Sequence, residues 1–280
     1  MNPLYLKRLI VNFLNEDLGA AGDITTGALH RVKGRAKLIA RERGILCGVE
    51  PFNITFETVN PKTEIEWLKQ EGEEFEEGEV ICLIEGELPS ILTAERTALN
   101  LIQRLSGIAT TTRKFAEKLK GSQVKLLDTR KTTPGLRILE KHATKVGGAL
   151  NHRLGLYDAA MIKDNHIKAF GGVKPAVIKV SEQVPVTTKI EVEIENQKQL
   201  QEALEVIDLI DIVMLDNWPL ENVKEAALRL KEAKPGIKVE VSGGITLEKL
   251  EIIRELPVDF VSTSKIITAA KWIDLSLEVW

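Results

Sequence analysis

The sequence predicts an α/β protein whose second half is a parallel sheet covered by helices. From residue 122 onward, short apolar segments rich in β-branched residues alternate with helical patterns. Parallel strands joined by right-handed crossovers require that alternation. Six such strands can be drawn, too few for an ordinary barrel of about eight units. Before residue 122 helices and strands are mixed without that order. An incomplete or smaller α/β barrel fits the second half best, and an open doubly wound sheet is the other reading.

Taken in order, the chain opens on MNPLYLKRLIVNFLNEDL, where Leu4, Leu6, Leu9, Ile10, Phe13 and Leu14 keep helical spacing. A Gly- and Thr-rich loop follows at 16–29. Strand-like content then marks 35–48, 63–70 and 80–86, with a helix from Pro51 to Val59. The stretch EGEEFEEGEVI, from Glu71, is similar to the hairpins of biotin- and lipoyl-carrier domains. It lacks the lysine that a carrier needs at the hairpin tip, so it reads as a small sheet.

Residues 92–120 form a long helical pattern. Positions 98, 101, 102, 105, 108 and 109 make its apolar face, and Arg96, Asn100, Gln103 and Arg104 lie mostly on the other. Ser106–Gly107 is expected to kink or break it. On composition alone, Arg96 and Arg104 are solvated. Beyond residue 122 the strands fall at 124–128, 159–163, 189–195, 210–215, 238–242 and 258–262. The helices fall at 135–147, 172–183, 196–207, 219–232 and 246–255.

With 280 residues, 44% of them hydrophobic, the chain can bury one large core or two moderate ones. No apolar run nears the roughly 20 residues that span a bilayer. The amphipathic start, acidic by residue 17, is wrong for a secretory signal or transit peptide. Cys47 and Cys82 lack metal-ligand spacing and read as reduced packing residues, so the expected compartment is the cytoplasm. A net charge of −3 gives no global attraction to nucleic acid. Any anion binding must be local.

Such a place exists. Between Lys125 and Lys168 nine Lys/Arg face four acids, and three of the four histidines (His142, His152, His166) fall there. Several of these cations follow apolar runs that read as buried strands, which favours an anion pocket over a basic surface patch.

In parallel α/β folds chemistry collects at the carboxyl ends of the strands. There this chain carries Thr129–Arg130–Lys131, Lys163–Asp164, Glu193, Asp216–Asn217, Ser242–Gly243–Gly244 and Ser262–Thr263–Ser264. Glu191 and Glu195 share the face of Glu193 by period two. The SGG run before a helix offers backbone N–H groups to a phosphate, and STS offers a second set. Arg130, Lys131 and Arg153 suit carboxylates and phosphates. Glu193 and Asp216 suit Mg²⁺ held by way of a substrate's phosphates. The bland alternatives are a buried ion pair for Glu193, a core histidine for His152, and turn caps for Asn165 and His166. The residues alone point to transfer of a phosphorylated group by positioning and electrostatics.

At these motifs the sequence resembles the quinolinate phosphoribosyltransferases. The segments EDLGAAGDITT, ERTALNLIQRLSGIATTTR, DTRKTTPGLR, GGALNHRLGLYDAAMIKDNHI, IEVEIEN, IVMLDN, VEVSGG and VDFVS stand in that family's order and spacing. The resemblance implies an N-terminal α/β sandwich domain, drawn at 1–108, and an incomplete six-stranded parallel α/β barrel at 109–280. The C-terminal end is left free to pack back on the first domain. It implies phosphoribosyl transfer from phosphoribosyl pyrophosphate to quinolinate with decarboxylation, in NAD biosynthesis. A homodimer with shared active sites is implied too, with hexamers as a further assembly, and neither a nucleic-acid nor a membrane partner.

Residue by residue, the resemblance makes Arg96 a substrate contact offered across the dimer interface. Thr129, Arg130, Lys131, His152, Arg153 and Lys163 match the basic pocket for quinolinate and the phosphates. Glu193 and Asp216 match the acids near the ribose and Mg²⁺, reached through substrate or water. Ser242, Gly243, Gly244, Thr263 and Ser264 match the loops for the ribose 5-phosphate. Lys131, Lys163, Glu193 and Asp216 are the implied catalytic groups. Two departures stand out: Ser264–Lys265–Ile266–Ile267 replaces a run that often starts with Gly, and Lys145–Val146–Gly147–Gly148 replaces an Arg-Cys-Gly-Gly run. The alternatives are a paralogue acting on another acid, such as the molybdenum-transport-associated type, and a non-catalytic barrel that binds a phosphorylated ligand.

Overall fold

The computed structural model describes residues 1–29 and 32–280. In chain order its elements begin with α1 (Pro3–Leu18), β1 (Lys33–Ala40), β2 (Gly44–Ile45), α2 (Val49–Val59), β3 (Glu64–Trp67), β4 (Glu74–Phe75), β5 (Val80–Glu87) and α3 (Leu88–Lys118). Next come β6 (Lys125–Leu127), α4 (Arg137–Gly147), β7 (Ala160–Ile162), α5 (Asp164–Phe170), α6 (Val173–Ser181), β8 (Ile190–Ile194) and α7 (Gln197–Leu204). The chain finishes with β9 (Ile212–Asp216), α8 (Leu220–Ala233), β10 (Lys238–Ser242), α9 (Leu247–Ile253), β11 (Phe260–Ser262), α10 (Lys265–Thr268) and β12 (Leu275–Val279). Two compact units result, Met1–Thr111 with Ala270–Trp280, and Thr112–Ala269.

In the first unit an antiparallel sheet of order β12-β1-β5-β3 packs on helices. Leu38, Ile84 and Leu275 from the sheet meet Phe52 and Phe56 of α2 and Ile91, Ala98 and Ile102 of α3 in one core. The expected strand at 35–48 is two, because the chain turns after Ala40 and β2 pairs with β4 instead. At Gly48 the backbone is left-handed, and the carboxylate of Glu71 accepts the N–H groups of Gly48 and Val49 at the start of α2. Cys47 and Cys82 are buried and free, and burial raises both thiols, Cys82 to about 12.

One expectation fails here. α3 runs unbroken through Ser106–Gly107 for 31 residues. Gly107 is present for close approach: a β-carbon there would stand 1.9 Å from the carbonyl oxygen of Lys271. Ser106 faces inward, its Oγ accepting from Cys47 N–H at 3.0 Å and donating to Cys47 C=O at 3.2 Å. Packing against neighbours, not helix termination, selects this small pair.

The second unit holds a six-stranded, wholly parallel sheet of order β6-β11-β10-β9-β8-β7. Consecutive strands are neighbours from β7 to β11, and the last strand returns to pair with the first. A doubly wound sheet would reverse direction about its middle; this one curls on itself and leaves a seam between β6 and β7. The unit is an incomplete α/β barrel. Beside the seam a short parallel bridge joins β6 to Leu150, with Leu150 N–H donating to Leu126 C=O at 2.8 Å and Asp128 N–H to Leu150 C=O at 3.2 Å.

The amino ends of the strands carry a repeated device. Asp211, just before β9, accepts the N–H of Ile190 at 2.9 Å, and Asp259, just before β11, accepts that of Val239 at 3.0 Å. Side-chain caps start two of the outer helices, Asn196 for α7 and Thr246 for α9. Among the described residues no helix is long and apolar enough to cross a membrane.

Candidate active site

At the carboxyl ends of the barrel strands a cavity of about 310 Å³ opens. Its lining comes from all six strands and the loops that follow them: Thr129, Arg130 and Lys131; His152 and Arg153; Met161 and Lys163; Glu193; Met214 and Asp216; Ser242; and Ser262. Ten of the residues singled out from the sequence thus share one space. Arg96 is exposed on α3 in the first unit, and Gly243, Gly244, Thr263 and Ser264 do not line the cavity.

The charge balance is set by strand register. Arg130, Lys131, Arg153 and Lys163 bring four cations to the lining, against the carboxylates of Glu193 and Asp216. Lys163 and Glu193 form an ion pair with one another. Arg153 donates from one terminal nitrogen to Ala159 C=O at 3.0 Å, yet its Nε is buried with no hydrogen-bond partner. Burial, and then the neighbouring charge of Arg130, lowers the pKa of Arg153. Two repelling guanidiniums with an unspent buried donor are chemically suited to a polyanion. Met161 and Met214 add apolar wall, which a flat ring could pack against.

His152 is neither a backbone-bonded core histidine nor a free ligand. Its Nε2 lies 3.0 Å from Glu191 and 3.5 Å from Glu240, both carboxylates at most 1% exposed. Its Nδ1 accepts the N–H of Arg153 at 2.7 Å. Burial resists a charged ring while the two carboxylates favour one. A fully protonated ring would turn a second N–H against that of Arg153. With Nδ1 occupied as an acceptor, the ring turns an N–H on Nε2 toward Glu191, whose own carboxyl is raised chiefly by burial.

The glycines of the SGG run answer to a neighbour. A β-carbon on Gly243 would stand 2.2 Å from Asn217 Oδ1 and 2.7 Å from Asn217 N, and Asn217 itself is left-handed at φ 56. Asn217 N–H donates to Ser242 C=O at 3.0 Å, and its side-chain amide donates to Asp216 at 2.7 Å. The two loops after β9 and β10 thus hold Asp216 in place. Lys249 brings its ammonium within 3.4 Å of a β-carbon position on Gly244, a cation beside that turn. Thr263 Oγ1 accepts the Lys265 N–H at 3.2 Å. His166 Nδ1 accepts the Lys163 N–H at 3.0 Å, so it caps α5.

Reading the sequence missed Glu240, Met161, Met214 and the role of Glu191 beneath the cavity. A signal existed in KIEVEIE and KVEVS: a glutamate inside an otherwise apolar parallel strand, as at 191, 193 and 240, has the barrel interior as its polar outlet.

The family model described as the quinolinate phosphoribosyl transferase C-terminal domain matches residues 108–278, and that of the N-terminal domain matches 23–106. The chain belongs to the quinolinate phosphoribosyltransferase family. A probable nicotinate-nucleotide pyrophosphorylase (carboxylating) of Synechocystis sp. is 41% identical over 267 residues, 95% of this chain and 90% of that protein. Its counterpart in Bacillus subtilis is also 41% identical, over 280 residues, 100% of this chain and 95% of that one. Among solved structures, the nicotinate-nucleotide pyrophosphorylase from Francisella tularensis superposes with a TM-score of 0.91 at 39% identity, covering 100% of this chain and 98% of that one. Within this family frame, the six-stranded barrel and the antiparallel sheet unit correspond to the two matched domains.

Proposed function

We propose that this chain transfers the phosphoribosyl group of phosphoribosyl pyrophosphate to quinolinate and decarboxylates the adduct. The products are nicotinate mononucleotide, pyrophosphate and CO₂, and the reaction belongs to NAD biosynthesis. One observation supports this reading above the others: Arg153, with its unspent buried donor, stands beside Arg130 in a cavity that carries only two carboxylates.

The chemistry follows from that arrangement. The pyridine nitrogen's lone pair attacks the anomeric carbon while the bond from that carbon to the pyrophosphate oxygen breaks. Positive charge develops on the ribose between them, and Glu193 and Asp216 face it. Lys163, held by Glu193 in the free protein, exchanges this partner for an incoming anionic group. Ribosylation leaves the ring cationic, so it accepts the electron pair when the C2–carboxylate bond breaks. A proton from water then replaces the lost CO₂ at C2. Arg130 and Arg153 clamp the two carboxylates and favour a diacid, because a monoacid leaves a buried cation unpaired.

Glu193 and Asp216 fit Mg²⁺ as sparse oxygen donors, and the ion pair that Glu193 makes with Lys163 favours contact through water or substrate. Bound there, the ion would neutralise charge on the leaving pyrophosphate. Arg96, exposed on α3, is offered to a partner subunit's cavity in a homodimer, with trimers of such dimers as a further assembly. The compartment is the cytoplasm, and Lys131 assists the phosphates.

The test is direct. Incubation with quinolinate labelled at the 2-carboxylate, phosphoribosyl pyrophosphate and Mg²⁺ is expected to release labelled CO₂ and nicotinate mononucleotide. Turnover of nicotinate but not quinolinate would overturn the substrate assignment, and tight binding with no turnover would mark a sensor.

A further inference from the structure

The buried face of α4 carries polar side chains beside Leu139 and Ala143, where an amphipathic helix is normally apolar throughout. Glu140, Lys141 and Thr144 are 0–1% exposed there. Lys141 pairs with Asp128, which is 0% exposed and directly precedes the cavity residues Thr129 and Arg130. Every lone-pair direction of Asp128 is used. One oxygen accepts from Lys141 and from the backbone N–H of His152 at 2.8 Å. The other accepts from Thr144 Oγ1 at 2.8 Å and from the Asn151 amide at 2.7 Å. Lys141 also donates to the carbonyl of His152 at 2.8 Å. Both backbone polar groups of His152 are therefore spent on this one ion pair. The backbone bridge that Leu150 makes with β6 stops short of them.

We propose that the Asp128–Lys141 pair is the positioning device that fixes Arg130, on one side of the barrel seam, against His152 and Arg153 on the other. It thereby sets the carboxylate spacing that the site accepts. A buried ion pair is weak evidence for stability, since apolar residues of like volume often replace one without loss. What apolar residues cannot do is hold the N–H and C=O of His152 in one place. Glu140 and Arg137 tie down the rest of the first loop, Glu140 by accepting from Thr133 N–H and Oγ1 and Arg137 by donating to Thr132 Oγ1. Arg137 also reaches Leu154 C=O at 3.4 Å, but the polar groups of His152 itself rest on Asp128 and Lys141.

This inference rests on the quinolinate reading, and its test separates the two. Asp128→Asn combined with Lys141→Met removes both charges at similar volume; Asn151→Ala is a milder second variant that removes one donor. For the double variant, the quinolinate KM is expected to rise by about tenfold or more, with the phosphoribosyl pyrophosphate KM within about threefold of wild type. Calorimetric titration with benzene-1,2-dicarboxylate, which lacks the nucleophilic nitrogen, is expected to show the same weakening in the double variant and a smaller one in Asn151→Ala. If the double variant does not fold, the diacid affinity of Asn151→Ala decides alone. Unchanged diacid affinity, or equal loss for both substrates, overturns the positioning role. A wild-type protein that binds the diacid yet never turns over quinolinate overturns the functional reading instead.

Discussion

The imidazole Nε2 of His152 lies 3.0 Å from a carboxylate oxygen of Glu191, inside the barrel and under the cavity. Glu240 lies 3.5 Å from the same nitrogen, so His152 meets two buried carboxylates whose oxygens come within 4.8 Å of one another, and neither oxygen of Glu240 has a hydrogen-bond partner. His152→Leu strands both acids, and breaking such a buried set costs about 3–5 kcal/mol. The single variant should melt well below wild type, and adding Glu240→Leu should recover much of the loss. Thermal denaturation at neutral pH reads this; single and double variants with equal midpoints would contradict the cluster.

Lys163 and Glu193 hold one another in the cavity, so each masks the other until an anion arrives. Glu193→Gln keeps the shape and removes the charge that faces the ribose. Its kcat should fall by about 100-fold while the quinolinate KM moves by less than about threefold. Steady-state kinetics with both substrates varied would show it. A normal kcat would take Glu193 out of the chemistry.

Arg130→Ala should lower kcat/KM for quinolinate by more than about 100-fold, roughly 3 kcal/mol, in protein that is still folded. The loss should be smaller for a pyridine carrying one carboxylate, because the removed cation serves the second. Near-normal turnover with quinolinate would exclude Arg130 from the clamp.

Gly107 gives a sign test. Helix propensity alone makes Gly→Ala in mid-helix favourable by about 1 kcal/mol. Here the new methyl would meet the Lys271 carbonyl oxygen at 1.9 Å. Overpacking of this kind costs about 1–3 kcal/mol or more, so Gly107→Ala should destabilise. Chemical denaturation decides, and a stabilised variant would mean that α3 is kinked after all.

Asp259 supplies the pH dependence. Burial pushes its carboxyl up, but the Val239 N–H together with Lys238 and Lys231 holds it below the usual aspartate value of 3.8. A lowered folded value means stability present above the unfolded value and lost as pH falls through the folded one. Asp259→Asn should melt lower than wild type at neutral pH and lose less on acidification from about pH 6 to 3. Parallel melting curves across that range would show that Asp259 contributes nothing.

Much of the barrel could be read from the chain because each parallel strand is apolar on both faces and its helix is amphipathic, both local patterns. Positions such as Arg130, Lys163, Glu193 and Asp216 were legible for the same reason: in a parallel fold the residue that ends a strand lies at one rim. Glu240 and Lys141 were not legible. A charged residue in an apolar run looks like a strand edge or a solvated helix face until its partner is known, and that of Glu240 is His152, far away in the chain.

By itself the sequence determined the strand and helix alternation, the basic excess between Lys125 and Lys168, and the residues that end each strand. Tertiary structure alone decided that α3 continues past Gly107, that the sheet curls with a seam between β6 and β7, and that Asp128 and Lys141 bridge that seam. The physical reason is range. Periodicity and turn chemistry act over a few residues, whereas burying a charge is settled only by which distant groups the completed fold brings within hydrogen-bonding distance.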